Sequence, residues 1–212
     1  MTTPHDEFQT ALAFHQRGEF SVAERIYRAL LKAQPRNFDV VHALGILLLQ
    51  RGEFEAAEQQ LGFAIKINSH FAPAHNNRGN ALLELKRFDE ALVCYDKAVT
   101  LQPENPQTLY NRGNALAGLK RFEEAVASYD RSIALQPNPP SFNNRGNALT
   151  DLGRFDEALA SFDQAIALFP TYPMAHSGRA KVLLKLGRTE EAQQSQARAA
   201  ELQARTPTAV KM

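Results

Sequence analysis

Along most of the chain, apolar and small residues return every three or four positions. One such series runs Leu82, Leu85, Phe88, Ala91, Leu92, Tyr95, Ala98 and Val99, the spacing of one face of an α-helix. The polar pair Lys86-Arg87 interrupts it and leaves room only for a tight turn, so the spacing predicts two antiparallel helices packed as a hairpin. Pro103 then closes the second helix, because proline lacks the N–H that would continue the ladder.

The hairpin recurs. Asn76-Asn77-Arg78-Gly79-Asn80-Ala81-Leu82 returns as Tyr110-Asn111-Arg112-Gly113-Asn114-Ala115-Leu116 and as Asn143-Asn144-Arg145-Gly146-Asn147-Ala148-Leu149, at nearly equal offsets. Each copy is followed by a matching second half, Arg87-Phe88-Asp89-Glu90-Ala91, Arg121-Phe122-Glu123-Glu124-Ala125 and Arg154-Phe155-Asp156-Glu157-Ala158, and closes at Pro103, Pro137 or Pro170. Weaker copies extend the frame outward, through Gly18-Glu19-Phe20, Leu44-Gly45 with Gly52-Glu53-Phe54, and His176 to Ala180 with Gly187. Six units result, at 4–37, 38–71, 72–105, 106–138, 139–172 and 173–206, as a single array over 4–206 with a short polar tail at 207–212. A regular period of this kind marks a structure built by stacking one supersecondary unit. Small residues stand where helices must approach closely: Gly79, Gly113 and Gly146 in the first helices, Ala91, Ala125 and Ala158 in the second. A glycine inside a helix costs about 1 kcal/mol against alanine, so its return predicts a packing role.

With its helix-opening aromatic or leucine, Gly79-type glycines, Ala91-type alanines, Tyr95-type aromatics and closing prolines, the chain resembles the tetratricopeptide repeat family. The resemblance implies an all-α fold, a right-handed superhelical solenoid of about six antiparallel helix-turn-helix repeats whose first helices line a concave groove. The ends depart from the pattern: the first repeat lacks the glycine, and the sixth has Gln196 for the aromatic and Ala204 for the proline. A terminal repeat must expose one face, so such ends are expected; end-to-end homodimerisation through the terminal repeats, or continuation into a further domain, stays open.

Carried onto this sequence, the family's groove places Asn76, Asn77 and Asn80, then Tyr110, Asn111 and Asn114, then Asn143, Asn144 and Asn147 on or near the concave face. An asparagine both donates and accepts, so a ladder of them suits the backbone of an extended peptide whatever its side chains. This is similar to the asparagine-lined repeat half of the protein O-linked N-acetylglucosamine transferases, which holds substrate peptide backbone. A second mode of the family, a clamp on the C-terminal carboxylate of chaperone tails, needs lysines that this chain replaces with Asn76 and Pro140. In the second unit the matching positions are His42, Ala43, Ile46 and Leu49, a more apolar stretch, either for a hydrophobic anchor of the partner or for burial against neighbouring helices. Arg78, Arg112, Arg145 and Arg179 form a row in the first helices, three of them in units that also carry Asp96, Asp130 or Asp163. Their co-occurrence predicts an Arg–Asp ladder within each hairpin, an anion-binding row being the alternative.

Composition adds mainly exclusions. The 212 residues carry 24 basic and 23 acidic side chains, a net charge of +1, which gives no electrostatic case for nucleic acid or a membrane surface. Neither a signal peptide nor a membrane-spanning stretch is visible, so the expected compartment is the cytoplasm. The single cysteine, Cys94, precludes an internal disulfide and is expected to be a packing residue. The six histidines show no metal-ligand spacing, and there is no phosphate loop, dinucleotide fingerprint or nucleophile elbow. The expectation is a non-enzymatic protein without cofactor or metal, a scaffold binding an extended peptide segment of a protein partner. The alternative is the substrate-recruiting half of a glycosyltransferase-like enzyme whose catalytic domain lies outside this chain.

Overall fold

The computed structural model describes residues 3–205; position 206 of the sixth repeat and the tail 207–212 lie outside the described residues. These form twelve α-helices and no strand: α1 Pro4–Gln16, α2 Phe20–Ala33, α3 Phe38–Gln50, α4 Phe54–Ile67, α5 Ala72–Glu84, α6 Phe88–Leu101, α7 Pro106–Gly118, α8 Phe122–Leu135, α9 Pro139–Asp151, α10 Phe155–Leu168, α11 Pro173–Lys185 and α12 Thr189–Arg205. Each odd-numbered helix packs against the even-numbered helix that follows it, giving six hairpins. They fall into two compact units, Met1–Pro103 with three hairpins and Glu104–Met212 with three.

Local chemistry sets the helix ends. Four of the six first helices are capped by side chains, α5 and α11 being the exceptions: Thr3 and Asp6 form a reciprocal capping box, and Asn37, Asn105 and Asn138 accept the N–H of Val40, Thr108 and Ser141. The second helices stop two residues before Pro35, Pro103, Pro137 and Pro170, at Ala33, Leu101, Leu135 and Leu168. Where Ala204 replaces the proline, α12 runs on for 17 residues against 14 in α10. The hairpin turns require one residue at positive φ, supplied by Gly18, Gly52, Gly153 and Gly187 and, with a side chain, by Lys86 and Lys120.

Within each unit the first helices touch one another, α3 reaching α1 and α5, and α9 reaching α7 and α11, whereas successive second helices do not. Each unit is therefore curved with its first helices on the inner side. Close approach of the two helices of a hairpin depends on the repeated glycine. A methyl group at Gly79, Gly113 or Gly146 would stand 2.6, 2.5 or 2.9 Å from ring carbons of Tyr95, Tyr129 or Phe162, rings that are at most 1% exposed. In the second hairpin Leu61 fills the same space against Gly45. Phe162 is clasped from both sides, because Gly178 of the following hairpin lies against it as well.

The arginine row is bonded to neighbouring helices, but its acidic partners differ from the predicted ones. Arg145 of α9 bonds Asp130 of the preceding hairpin, and Arg179 of α11 bonds Asp163 of the preceding hairpin. The partner within the hairpin is a serine: Arg112 donates to Ser128, Arg145 to Ser161 and Arg179 to Ser195. The expected pairing of Arg145 with Asp163 inside one hairpin is thus replaced by pairing across hairpins. The reason is helical geometry, since residues two apart, such as Ser128 and Asp130, project from different faces of the helix. Arg78 has Gly62 where the others have aspartate, and it reaches Glu58, one turn earlier on α4. Cys94 holds the place of the serines in the third hairpin; it is 5% exposed, and burial pushes its thiol pKa up.

Candidate functional site

In the unit Glu104–Met212, the inner faces of α7 and α9 carry a bonded cluster of asparagine and tyrosine. The Tyr129 hydroxyl rises from α8 and donates to Asn114 Oδ1 at 2.8 Å, and the same oxygen accepts from Asn144 Nδ2 at 2.9 Å. Asn144 Nδ2 also donates to the Tyr110 hydroxyl at 3.1 Å, while its Oδ1 accepts from Asn143 at 3.0 Å. Both ends of the Asn144 amide are therefore engaged, and its role in the cluster is to brace Tyr110 and Asn114. The Tyr129 ring is buried and burial raises its pKa, so its hydroxyl stays a donor. Tyr110 accepts from Asn144 and keeps its own O–H to donate.

The nine residues expected on this face are not placed alike. Asn111 and Asn143 are only 6% and 4% exposed, packed inward. Asn111 Oδ1 accepts from Gln107 at 2.9 Å, and Asn143 Oδ1 is enclosed without a hydrogen-bond partner. Tyr110, Asn114 and Asn144 are half-buried and joined, and Asn147 is exposed. Asn147 differs because the ring at the position of Tyr95 and Tyr129 is here Phe162, which has no hydroxyl to reach it. Beside the cluster lies a cleft of about 290 Å³, lined by Asn114, Ala117, Phe122, Tyr129, Asn144, Asn147, Ala148 and Asp151. Phe122 and Asp151 were not among the expected site residues. A signal for Asp151 was present, since Asn144, Asn147, Ala148 and Asp151 are spaced i, i+3, i+4 and i+7 and so share one helix face.

In the unit Met1–Pro103 the corresponding residues are Asn76, Asn77 and Asn80 of α5. Tyr95 donates to Asn80 Oδ1 at 2.9 Å, as Tyr129 does to Asn114, and Asn76 lies 3.5 Å from Asn77 Oδ1. Asn77 reaches back to α3, with its Nδ2 3.3 Å from His42 Nε2. His42 stacks on Phe38 at 5.7 Å and meets the edge of Phe71 at 5.2 Å. Ala43 is buried, and Ile46 and Leu49 are half-buried, with Leu49 packed on the core of this unit.

Burial holds the His42 pKa below its ordinary value, against a smaller upward pull from Asp39. The folded state thus favours the neutral ring, whose Nε2 can accept from Asn77. For a group with a depressed folded pKa and a proton-bound charged form, the stabilising contribution is complete above the unfolded value, about 6.5, and is lost as the pH falls towards the folded value. Thermal melts from about pH 7.5 to about pH 5.5 should therefore show a falling midpoint in the wild type. The fall should be smaller in His42→Gln; an identical fall would place the titrating group elsewhere.

Among the described residues no group of three or more His, Cys, Asp or Glu could hold a metal ion, and no helix is long and apolar enough to cross a membrane. Models of the tetratricopeptide repeat match residues 8–69, 72–105, 106–139 and 175–206, and a TPR repeat model matches 146–187. No curated protein matches. Solved structures do. PilF of Pseudomonas aeruginosa superposes with a TM-score of 0.76 at 21% identity, over 95% of this chain and 96% of that one. A tetratricopeptide repeat protein of Parabacteroides merdae gives 0.78 at 20% identity, over 91% and 77%. YrrB, described as a TPR protein with an unusual peptide-binding site, gives 0.70 at 22% identity, over 85% and 93%. At these identities the likeness is one of fold.

Proposed function

The chain belongs to the tetratricopeptide repeat family, and from that premise we propose that it is a non-catalytic scaffold that holds an extended segment of a protein partner on the first-helix face. The observation that carries this reading is the braced cluster of Tyr110, Asn114 and Asn144 beside the open cleft. Asparagine is a mediocre helix former, and Asn114 and Asn144 at the inner face of α7 and α9, with Tyr110, make a fixed polar surface that a purely structural helix does not need. The bonds within the cluster occupy Asn114 Oδ1 and the acceptor side of Tyr110. They leave the Asn114 amide donors and the Tyr110 O–H to meet peptide carbonyls. Exposed Asn147 offers both a donor and an acceptor, the pair that a peptide group presents in return. The described peptide-binding site of YrrB is in keeping with this function on the same fold.

Asn147 provides the cleanest test, because its exposed side chain is not part of the brace. A fluorescent pool of short, end-blocked random peptides would be titrated with wild-type protein and with Asn147→Ala. A net hydrogen bond contributes about 1 kcal/mol, or roughly a fivefold change in affinity. Asn147→Ala should weaken binding by about that factor and leave the melting midpoint in place. Undiminished binding by Asn147→Ala would remove this residue from the binding surface.

A further inference from the structure

We infer that the cleft bounded by α7, α8 and α9 is a subsite for a basic side chain, lysine or arginine, of the bound segment; the inference rests on the groove function proposed above. The cleft combines apolar side chains with one acidic group. Phe122, Ala117 and Ala148 line it together with Asp151. Asp151 is exposed, enters no ion pair among the described residues and is the last residue of α9. A helix C-terminus carries partial negative charge, so a carboxylate there adds to a field that attracts cations.

The next hairpin of the same unit displays the complement. Phe155 stands one repeat after Phe122, and Lys185 stands one repeat after Asp151, each at the same place in its hairpin. There the Lys185 ammonium lies over the Phe155 ring, 5.7 Å from its centre, within the range of a cation–π contact. The protein thus seats a lysine on this phenylalanine with its own chain. One repeat earlier the lysine is exchanged for Asp151, and no side chain of that helix supplies the cation. A lysine or arginine arriving from a partner would lay its methylene stem along Ala117, Ala148 and the Phe122 ring and bring its charge to the carboxylate. Asn147, one turn before Asp151 on α9, is placed to bond the adjoining peptide group. The preferred partner is therefore an extended segment with a basic residue flanked by small or polar ones, which balances the single negative charge of the cleft.

The test uses four pools of end-blocked peptides, identical except that the central residue is fixed as lysine, arginine, norleucine or glutamate. They are titrated against wild type, Asp151→Asn, Asp151→Lys and Asn147→Ala, each checked for helicity and melting. Lysine and arginine pools should bind wild type about tenfold more tightly than norleucine, consistent with one cation–π contact and one ion pair, and glutamate should be weakest. Asp151→Asn should shrink the preference, and Asp151→Lys, which recreates the neighbouring repeat, should abolish it. Equal binding of the four pools by wild type, or a lysine preference that survives Asp151→Lys, would overturn the subsite. In that case weaker binding of all pools by Asn147→Ala would leave the groove function standing. Failure of every pool to bind would overturn both.

Discussion

Replacing Gly178 by alanine should destabilise the protein by about 2 kcal/mol through overpacking, against the helix propensity of the two residues. Propensity alone favours alanine by about 1 kcal/mol. The new methyl would drive into Phe162, a ring 0% exposed whose other side is closed by Gly146. Neither side chain can yield, so the two hairpins must separate, and overpacking of a closed core costs roughly 1–3 kcal/mol or more. Clamping from both sides puts the overpacking cost at the upper end of that range, about 3 kcal/mol, and the propensity gain of about 1 kcal/mol reduces the net loss to about 2 kcal/mol. Thermal or denaturant melts give the value. Phe162→Leu should lessen the effect of the second substitution, since it removes the ring that the methyl meets. A rise in stability on Gly178→Ala would mean that these glycines are not set by packing.

Arg145→Ala should cost a comparable amount, about 2 kcal/mol, the size expected when a hydrogen bond to a charged group is lost. Arg145 joins three helices, its own α9 with Asp130 of α8 and Ser161 of α10. Exposed ion pairs contribute less than about 1 kcal/mol, and Asp130 is half exposed. The larger part of the effect comes from Ser161, 2% exposed, which loses a charge-assisted bond at a buried site, and from the guanidinium packed between hairpins. Arg145→Lys should recover only part of the loss, because an ammonium lacks the fork that reaches both partners. Unchanged melting of Arg145→Ala, together with lost affinity for anions, would assign the row to ligand binding instead.

The fold was legible because the third, fourth and fifth repeats each state it several times. The glycine, the second-helix aromatic and the closing proline recur in phase, and each has one physical reason: close approach, a ring to fill the space, and a missing N–H. At Ala204, where the proline is missing, the last helix continues to Arg205. The arginine ladder was legible as bonding but not as register. Arg179 has Ala197 in its own hairpin and Asp163 in the preceding one, a pattern that intra-hairpin pairing does not explain and pairing across hairpins does. Within the candidate site, the repeat frame gave the positions of the asparagines on the first helices without sorting them. Asn111, Asn144 and Asn77 hold one position of the repeat, yet Asn111 is buried and Asn144 is tied to Tyr110. Whether an amide faces solvent or braces a neighbour depends on what the adjacent repeat presents, His42 in one case and Tyr110 in another. No single repeat contains that information.

The central claim is that a partner segment lies on the first-helix face. It is tested most directly by placing a photoreactive benzophenone side chain at position 147 on α9 or at position 160 on the exposed face of α10, and irradiating each protein with the random peptide pool. Peptide crosslinked at 147 and absent at 160 is the result predicted here. Crosslinking at 160 with none at 147, or equal yields at both, would contradict it.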